Sequence, residues 1–150
     1  MSAPKLSHFI HGQAVAGSSG RFGDVFDPAT GQVTAQLPLA SKSEVEDAIA
    51  SAAAAFPAWA ATTPLNRARV MFRFKELLEK HADEIAAAIT AEHGKVLSDA
   101  RGELTRGMEV VEFACGIPHL LKGEHSVNVN TGVDSWSQFA PLGVVAGITP

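Results

Sequence analysis

Disulfide chemistry is excluded at the outset. The chain has one cysteine, Cys115, so no internal bridge can form, and a lone thiol suits a reducing compartment. Nor is there an excess of basic charge: 12 Lys and Arg stand against 16 Asp and Glu in 150 residues, a formal net charge of -4, and no basic cluster stands out. That balance argues against nucleic acid as a partner. Apolar runs are short, the longest being alanine-rich helix faces, far below the roughly 20 residues that span a bilayer. The opening Met1–Gly12 carries neither an apolar signal core nor an arginine-rich presequence. A cytoplasmic protein with no membrane partner is therefore expected. Internal repeats and low-complexity linkers are missing as well. At this length one domain with a sizeable core is possible.

What is present runs strands, then helices, then strands. His8-Phe9-Ile10-His11 alternates, and Gly12-Gln13 turns it into Ala14-Val15. Phe22, Val25 and Phe26 suggest a second strand, and Asp27-Pro28-Ala29-Thr30-Gly31 is a turn by composition, with Val33 to Leu37 returning antiparallel. Ser43-Glu44-Val45-Glu46 has the capping-box pattern and predicts a helix to about Phe56, ending before Pro57, with an alanine stripe for close packing. Thr63-Pro64 opens a second helix with Val70, Phe74, Leu77 and Leu78 at helical spacing. A third should stop near Gly94. Ser98-Asp99 can cap a fourth, which carries Leu104, Met108, Val111, Phe113 and Ala114 and ends near Pro118. Val127-Asn128-Val129 and Trp136 to Phe139 read as strands.

The final segment, Gly143-Val144-Val145-Ala146-Gly147-Ile148, is apolar throughout, as in a strand buried on both faces. Such a strand needs parallel neighbours supplied by crossover units. The other reading pairs 143–148 with 134–139 as a hairpin, with Pro141 and Gly143 at the turn. Residues alone leave both open.

Few residues point to chemistry. Cys115 lies late on an apolar helical face, away from the helix N-terminus, cation or histidine base that activates a thiol, so a structural role is expected and no catalytic residue is assigned. The 6 histidines are scattered; His8 and His11 could lie close, but no ligand spacing completes a metal site. Glu103, Arg106, Glu109 and Glu112 recur every third residue, as on an exposed salt-bridged face. Yet Gly102 and Gly107 flank Arg106, and glycine costs about 1 kcal/mol in a helix. Such glycines suggest close approach of another segment or a ligand, and a guanidinium there could clamp a carboxylate. The closing glycines match neither G-x-G-x-x-G nor a phosphate loop. Thr149 would sit just past the carboxyl end of a parallel strand, where α/β sheets bind ligands.

Taken in order, Asp27–Gly31, Ala55-Phe56-Pro57-Ala58-Trp59, Arg67-Ala68-Arg69, Glu92-His93-Gly94-Lys95 and above all Pro141–Pro150 resemble the N-terminal part of the aldehyde dehydrogenase superfamily. Arg101–Gly107 followed by Glu109–Ala114, with Ile148-Thr149-Pro150, resembles its CoA-acylating methylmalonate-semialdehyde dehydrogenases. The resemblance implies an α/β fold, of which this chain is the first third. Residues 1–123 would be the N-terminal part of the NAD-binding domain, 124–141 the start of an oligomerisation hairpin, and 142–150 the first strand of the NAD-binding core. It implies NAD as cofactor, CoA and a small carboxylated aldehyde as substrates, and a homodimer or homotetramer. Ile148, Thr149 and Pro150 would line the NAD site and Arg106 would bind the substrate carboxylate. The catalytic cysteine would lie beyond these residues, so the chain alone is expected to be inactive. The alternatives are a non-acylating aldehyde dehydrogenase, or a non-catalytic module pairing through its helical face and hairpin edge.

Overall fold

The computed structural model describes residues 3–149. Three antiparallel hairpins bracket five helices among them. In the first hairpin β1 (His8–Ile10) pairs with β2 (Gln13–Val15), and the chain reverses at His11 and Gly12, both at positive φ (54° and 73°). In the second, β3 (Phe22–Phe26) pairs with β4 (Val33–Pro38). The turn between them is held by Asp27, whose Oδ1 accepts the N–H groups of Ala29 (2.7 Å) and Thr30 (3.2 Å), while Gly31 takes φ 72°. The N-terminal residues also add to β4: the N–H of Leu6 donates to the Gln36 carbonyl at 2.8 Å.

The helices are α1 (Lys42–Ala61), α2 (Pro64–Lys80), α3 (Ala82–His93), α4 (Leu97–Cys115) and the single turn α5 (Ile117–Leu120). Several boundaries differ from the sequence expectation. The capping box of α1 is Ser41 with Glu44, two residues earlier than Ser43 with Glu46. Ser41 accepts the Glu44 N–H at 3.3 Å, and Glu44 reaches back to the Ser41 N–H at 2.7 Å. Pro57 does not end α1, which continues to Ala61; proline forfeits one backbone hydrogen bond, and the alanine-rich run around it favours helix enough to continue. At α4 the N-cap is Val96, without a side-chain cap, and Ser98 and Asp99 lie inside the helix. α4 stops at Cys115, short of Pro118, which lies in the first turn of α5. Two others agree: Thr63 caps α2 ahead of Pro64, and Gly94 ends α3 at φ 81°.

α4 packs against both α2 and α3. The contact runs through small residues: Ala68, Ala86 and Ala100 are buried, with Leu104 and Cys115. α2 turns Ala68, Met71 and Leu78 inward, whereas Val70, Phe74 and Leu77 remain substantially exposed. The alanine stripe of α1 buries no residue. Among the described residues no helix is long and apolar enough to cross a membrane.

β5 (His125–Asn130) and β6 (Val133–Trp136) form the third hairpin, every residue of it exposed. Beyond Trp136 the described chain has no regular structure. The hairpin reading is therefore corrected: residues 143–148 do not pair with 134–139, and the strand expected over Trp136 to Phe139 stops at Trp136. The parallel neighbours that the strand reading calls for are not among the described residues, and 143–148 has no regular structure without them. A strand requires a neighbour for its backbone groups, and no described segment pairs with this one. Its side chains stand in the open, Val145 at 76% and Ile148 at 102% exposure.

Exposed surface is the dominant feature. The chain presents 11501 Å², against about 7,300 Å² for a compact monomer of this mass. No large side chain is fully buried among the described residues.

The α1 cap carries a pH dependence. The backbone N–H groups of Ser41 and Ser18 hold the Glu44 carboxyl down to about 2. Its folded value is depressed, so the stabilisation is present above the ordinary carboxylate range and is lost as pH falls toward 2. In the complete subunit, Glu44→Gln should flatten the acid limb of stability against pH between about 4.5 and 2, measured by urea unfolding. An unchanged acid limb would count against the cap's role.

Candidate functional site

The polar feature of the chain with the clearest chemistry lies at the corner between α3 and α4. Gly94 closes α3, its N–H donating to the Thr90 carbonyl at 2.8 Å. A Cβ at Gly94 would lie 3.0 Å from Cγ of Pro28, so the Asp27–Gly31 turn packs on this corner. Two motifs far apart in sequence thus meet, and the contact sets how the chain enters α4.

The reversal brings Lys95 over the first turns of α4. Its Nζ lies 2.8 Å from Oε1 of Glu103, with 17% of the lysine side chain exposed and 47% of the glutamate's. The hydrogen bond from Lys95 holds the Glu103 carboxyl below its ordinary range; partial burial opposes this, and the charges of Lys95, His93 and Arg106 add to it. Arg106 stands one turn further along, exposed, and takes part in no ion pair among the described residues. Lys95, Ser98, Asp99, Gly102, Glu103 and Arg106 line an open depression of about 320 Å³.

The expectation for this face needs two corrections. Glu103, Arg106, Glu109 and Glu112 do not form a ladder of ion pairs: Glu103 pairs off the helix with Lys95, and the other three are in none among the described residues. Nor does any described segment crowd the helix glycines, since a Cβ on Gly102 or Gly107 would meet nothing within 4 Å. Gly102 instead lines the depression with Arg106 and leaves open space where a side chain would stand.

Thr149 and Ile148 are exposed and follow no strand. Pro150 lies outside the described residues. Gly143, Val144 and Val145 line shallow apolar depressions with α1, to which Ile148 and Thr149 do not contribute. These two residues do not by themselves form a site fitted to a dinucleotide. The thiol of Cys115 is free and buried where α4 ends. His8 lies 4.0 Å from Glu44 and His11 3.3 Å from Ser51, and among the described residues no three His, Cys, Asp or Glu groups converge as for a metal ion.

The aldehyde dehydrogenase family profile matches residues 15–150. The chain belongs to the aldehyde dehydrogenase family. A malonate-semialdehyde dehydrogenase of Pseudomonas aeruginosa is 53% identical over 145 residues, 97% of this chain and 29% of that protein. A human mitochondrial enzyme named methylmalonate-semialdehyde/malonate-semialdehyde dehydrogenase [acylating] is 43% identical over 99% of this chain and 28% of its own length. A Sinorhizobium meliloti protein described as a methylmalonate-semialdehyde dehydrogenase, solved in complex with NAD, superposes with a TM-score of 0.94 at 47% identity, covering 99% of this chain and 30% of that one. The chain thus spans less than a third of the length of these relatives. Its α/β architecture is that of the N-terminal portion of an aldehyde dehydrogenase.

Sequence reading singled out Arg106 but passed over Lys95. The signal was present in Glu92-His93-Gly94-Lys95: a glycine that ends one helix at positive φ returns the next residue toward the helix that follows. Gly94→Ala combines a strained φ with the Pro28 contact and should lower stability of the complete subunit by roughly 1–2 kcal/mol, read as a shift in denaturant midpoint. A variant as stable as the parent would contradict the packed corner.

Proposed function

We propose that the complete protein is an NAD-dependent, CoA-acylating methylmalonate- or malonate-semialdehyde dehydrogenase. It would convert semialdehyde, CoA and NAD to propionyl-CoA or acetyl-CoA, CO2 and NADH. The observation that carries the reading is the exposed Arg106, in no ion pair among the described residues, lining a depression with Gly102, which has open space where a side chain would stand. The names of the similar proteins, which are semialdehyde dehydrogenases of malonate-type carboxylates, support it.

In this proposal Arg106 supplies the carboxylate anchor. A guanidinium presents a planar fork of N–H donors that matches a carboxylate with two parallel hydrogen bonds. Anchoring one end of the semialdehyde would hold its carbonyl at a fixed distance and orientation for attack. The nucleophile is a cysteine outside these residues. Cys115 is not assigned that role, because it is buried at the end of α4. Attack by the nucleophile, oxidation and transfer of the acyl group to CoA, with loss of CO2, complete the reaction. When bound, NAD supplies the hydride acceptor. Ile148, Thr149 and Pro150 are proposed as residues lining its site once the remainder of the subunit surrounds them.

The same proposal divides the chain into 1–123, the N-terminal part of the NAD-binding domain; 124–141, the start of an oligomerisation hairpin; and 142–150, the first strand of the core. The exposed β5–β6 hairpin is the edge offered to a second subunit in a homodimer or homotetramer, and a cytoplasmic location goes with it.

Arg106→Ala in the complete enzyme should raise KM for methylmalonate semialdehyde about 10- to 100-fold, the loss of a charged hydrogen-bond pair, with little change for propanal. Equal effects on both aldehydes would remove the carboxylate role. Cys115→Ala in the complete enzyme should keep kcat within about twofold while losing roughly 1 kcal/mol of stability, and the 150-residue chain alone should form no NADH. Abolished turnover in Cys115→Ala, or NADH from the isolated chain, would return the nucleophile to these residues.

A further inference from the structure

Glu103 and Arg106 stand at i and i+3 on α4, the spacing at which a carboxylate and a guanidinium on one helix ordinarily pair. They do not pair here. Glu103 is taken by Lys95 at 2.8 Å, and Lys95 is the more covered partner at 17% against 47% exposure. Arg106 is near enough for its charge to act on Glu103, although the hydrogen bond from Lys95 is the largest influence on that carboxyl. The charged side chains lining the depression are Lys95, Asp99, Glu103 and Arg106, two of each sign. A basin with no net charge has little general attraction for an anion. Whether it accepts one depends on which carboxylate each cation holds.

We propose that Lys95 is a positioning residue for a carboxylate ligand: by occupying Glu103 it keeps the chain's own carboxylate off Arg106 and leaves that guanidinium facing outward. The proposal rests on the reading of Arg106 as the substrate anchor. A competing carboxylate one helical turn away acts at an effective concentration on the order of millimolar, so it would rival substrate unless held elsewhere. Lys95 is placed to hold it because Gly94 reverses the chain against Pro28. The corner thus links the Asp27–Gly31 turn to the specificity of the α4 face.

The test uses the complete enzyme and two readouts: KM for methylmalonate semialdehyde relative to propanal, and calorimetric affinity for the unreactive malonate ion. Lys95→Met should raise the KM ratio about fivefold, as expected for a partly exposed ion pair redirected onto Arg106, and weaken malonate binding by the same factor. Adding Glu103→Gln should restore both. Adding Asp99→Asn, which changes the charge equally but leaves Glu103 in place, should restore neither. Lys95→Met without effect, or rescue by Asp99→Asn equal to that by Glu103→Gln, would overturn the proposal. Should Lys95→Met fail to fold, Glu103→Gln alone decides: malonate affinity at or above the parent supports the competitor role, and a loss as large as that of Arg106→Ala overturns it. A selective defect in Arg106→Ala without one in Lys95→Met would sink this inference and spare the anchor. A non-selective Arg106→Ala would remove both.

Discussion

A β-strand is stable only where neighbours take its backbone hydrogen bonds and cover its apolar faces, and that requirement governs the described chain. The segment 142–149 has the composition of a doubly covered strand, yet no described strand pairs with it, and apart from shallow contact of 143–145 with α1 it stays irregular and exposed. The same shortage of cover extends over the α1 stripe, the outer side of α2 and the whole β5–β6 hairpin. What does pack is the part that can do so locally. α2, α3 and α4 meet through alanines, where small side chains let helices approach without help from elsewhere.

That local packing positions the α4 face. Pro28, Gly94 and Lys95 belong to three features that composition reads separately: a turn, a helix stop and a charged residue after it. In the fold they form one mechanical unit. The turn seats on the glycine, the glycine reverses the chain, and the reversal carries the lysine to Glu103. The energy of a surface ion pair is small; in the proposal above its importance lies in selection, since Glu103 has Lys95 and Arg106 both near it.

The family profile and the similar enzymes account for the uncovered surface in a simple way. The chain aligns over nearly its whole length with less than a third of each relative. Apolar surface left open in these residues corresponds to surface that a longer relative has further chain to cover. The aldehyde dehydrogenase pattern was legible because turn and cap motifs are local and ordered along the chain. The pairing of Lys95 with Glu103 was not, because nothing in residue spacing says whether Glu103 turns along its own helix or back to the preceding loop.

Local chemistry in the sequence was enough to determine the two N-terminal hairpins, the Thr63-Pro64 start, the Gly94 stop and the exposure of Arg106. Each depends on dihedral preference, capping or charge within a few residues. Tertiary structure decided the rest: the shift of the α1 cap to Ser41, the passage of α1 through Pro57, the partner of Glu103, and the irregular state of 142–149. Those outcomes turn on which groups compete for one hydrogen bond or one apolar face, and competition is settled only when distant segments are brought together.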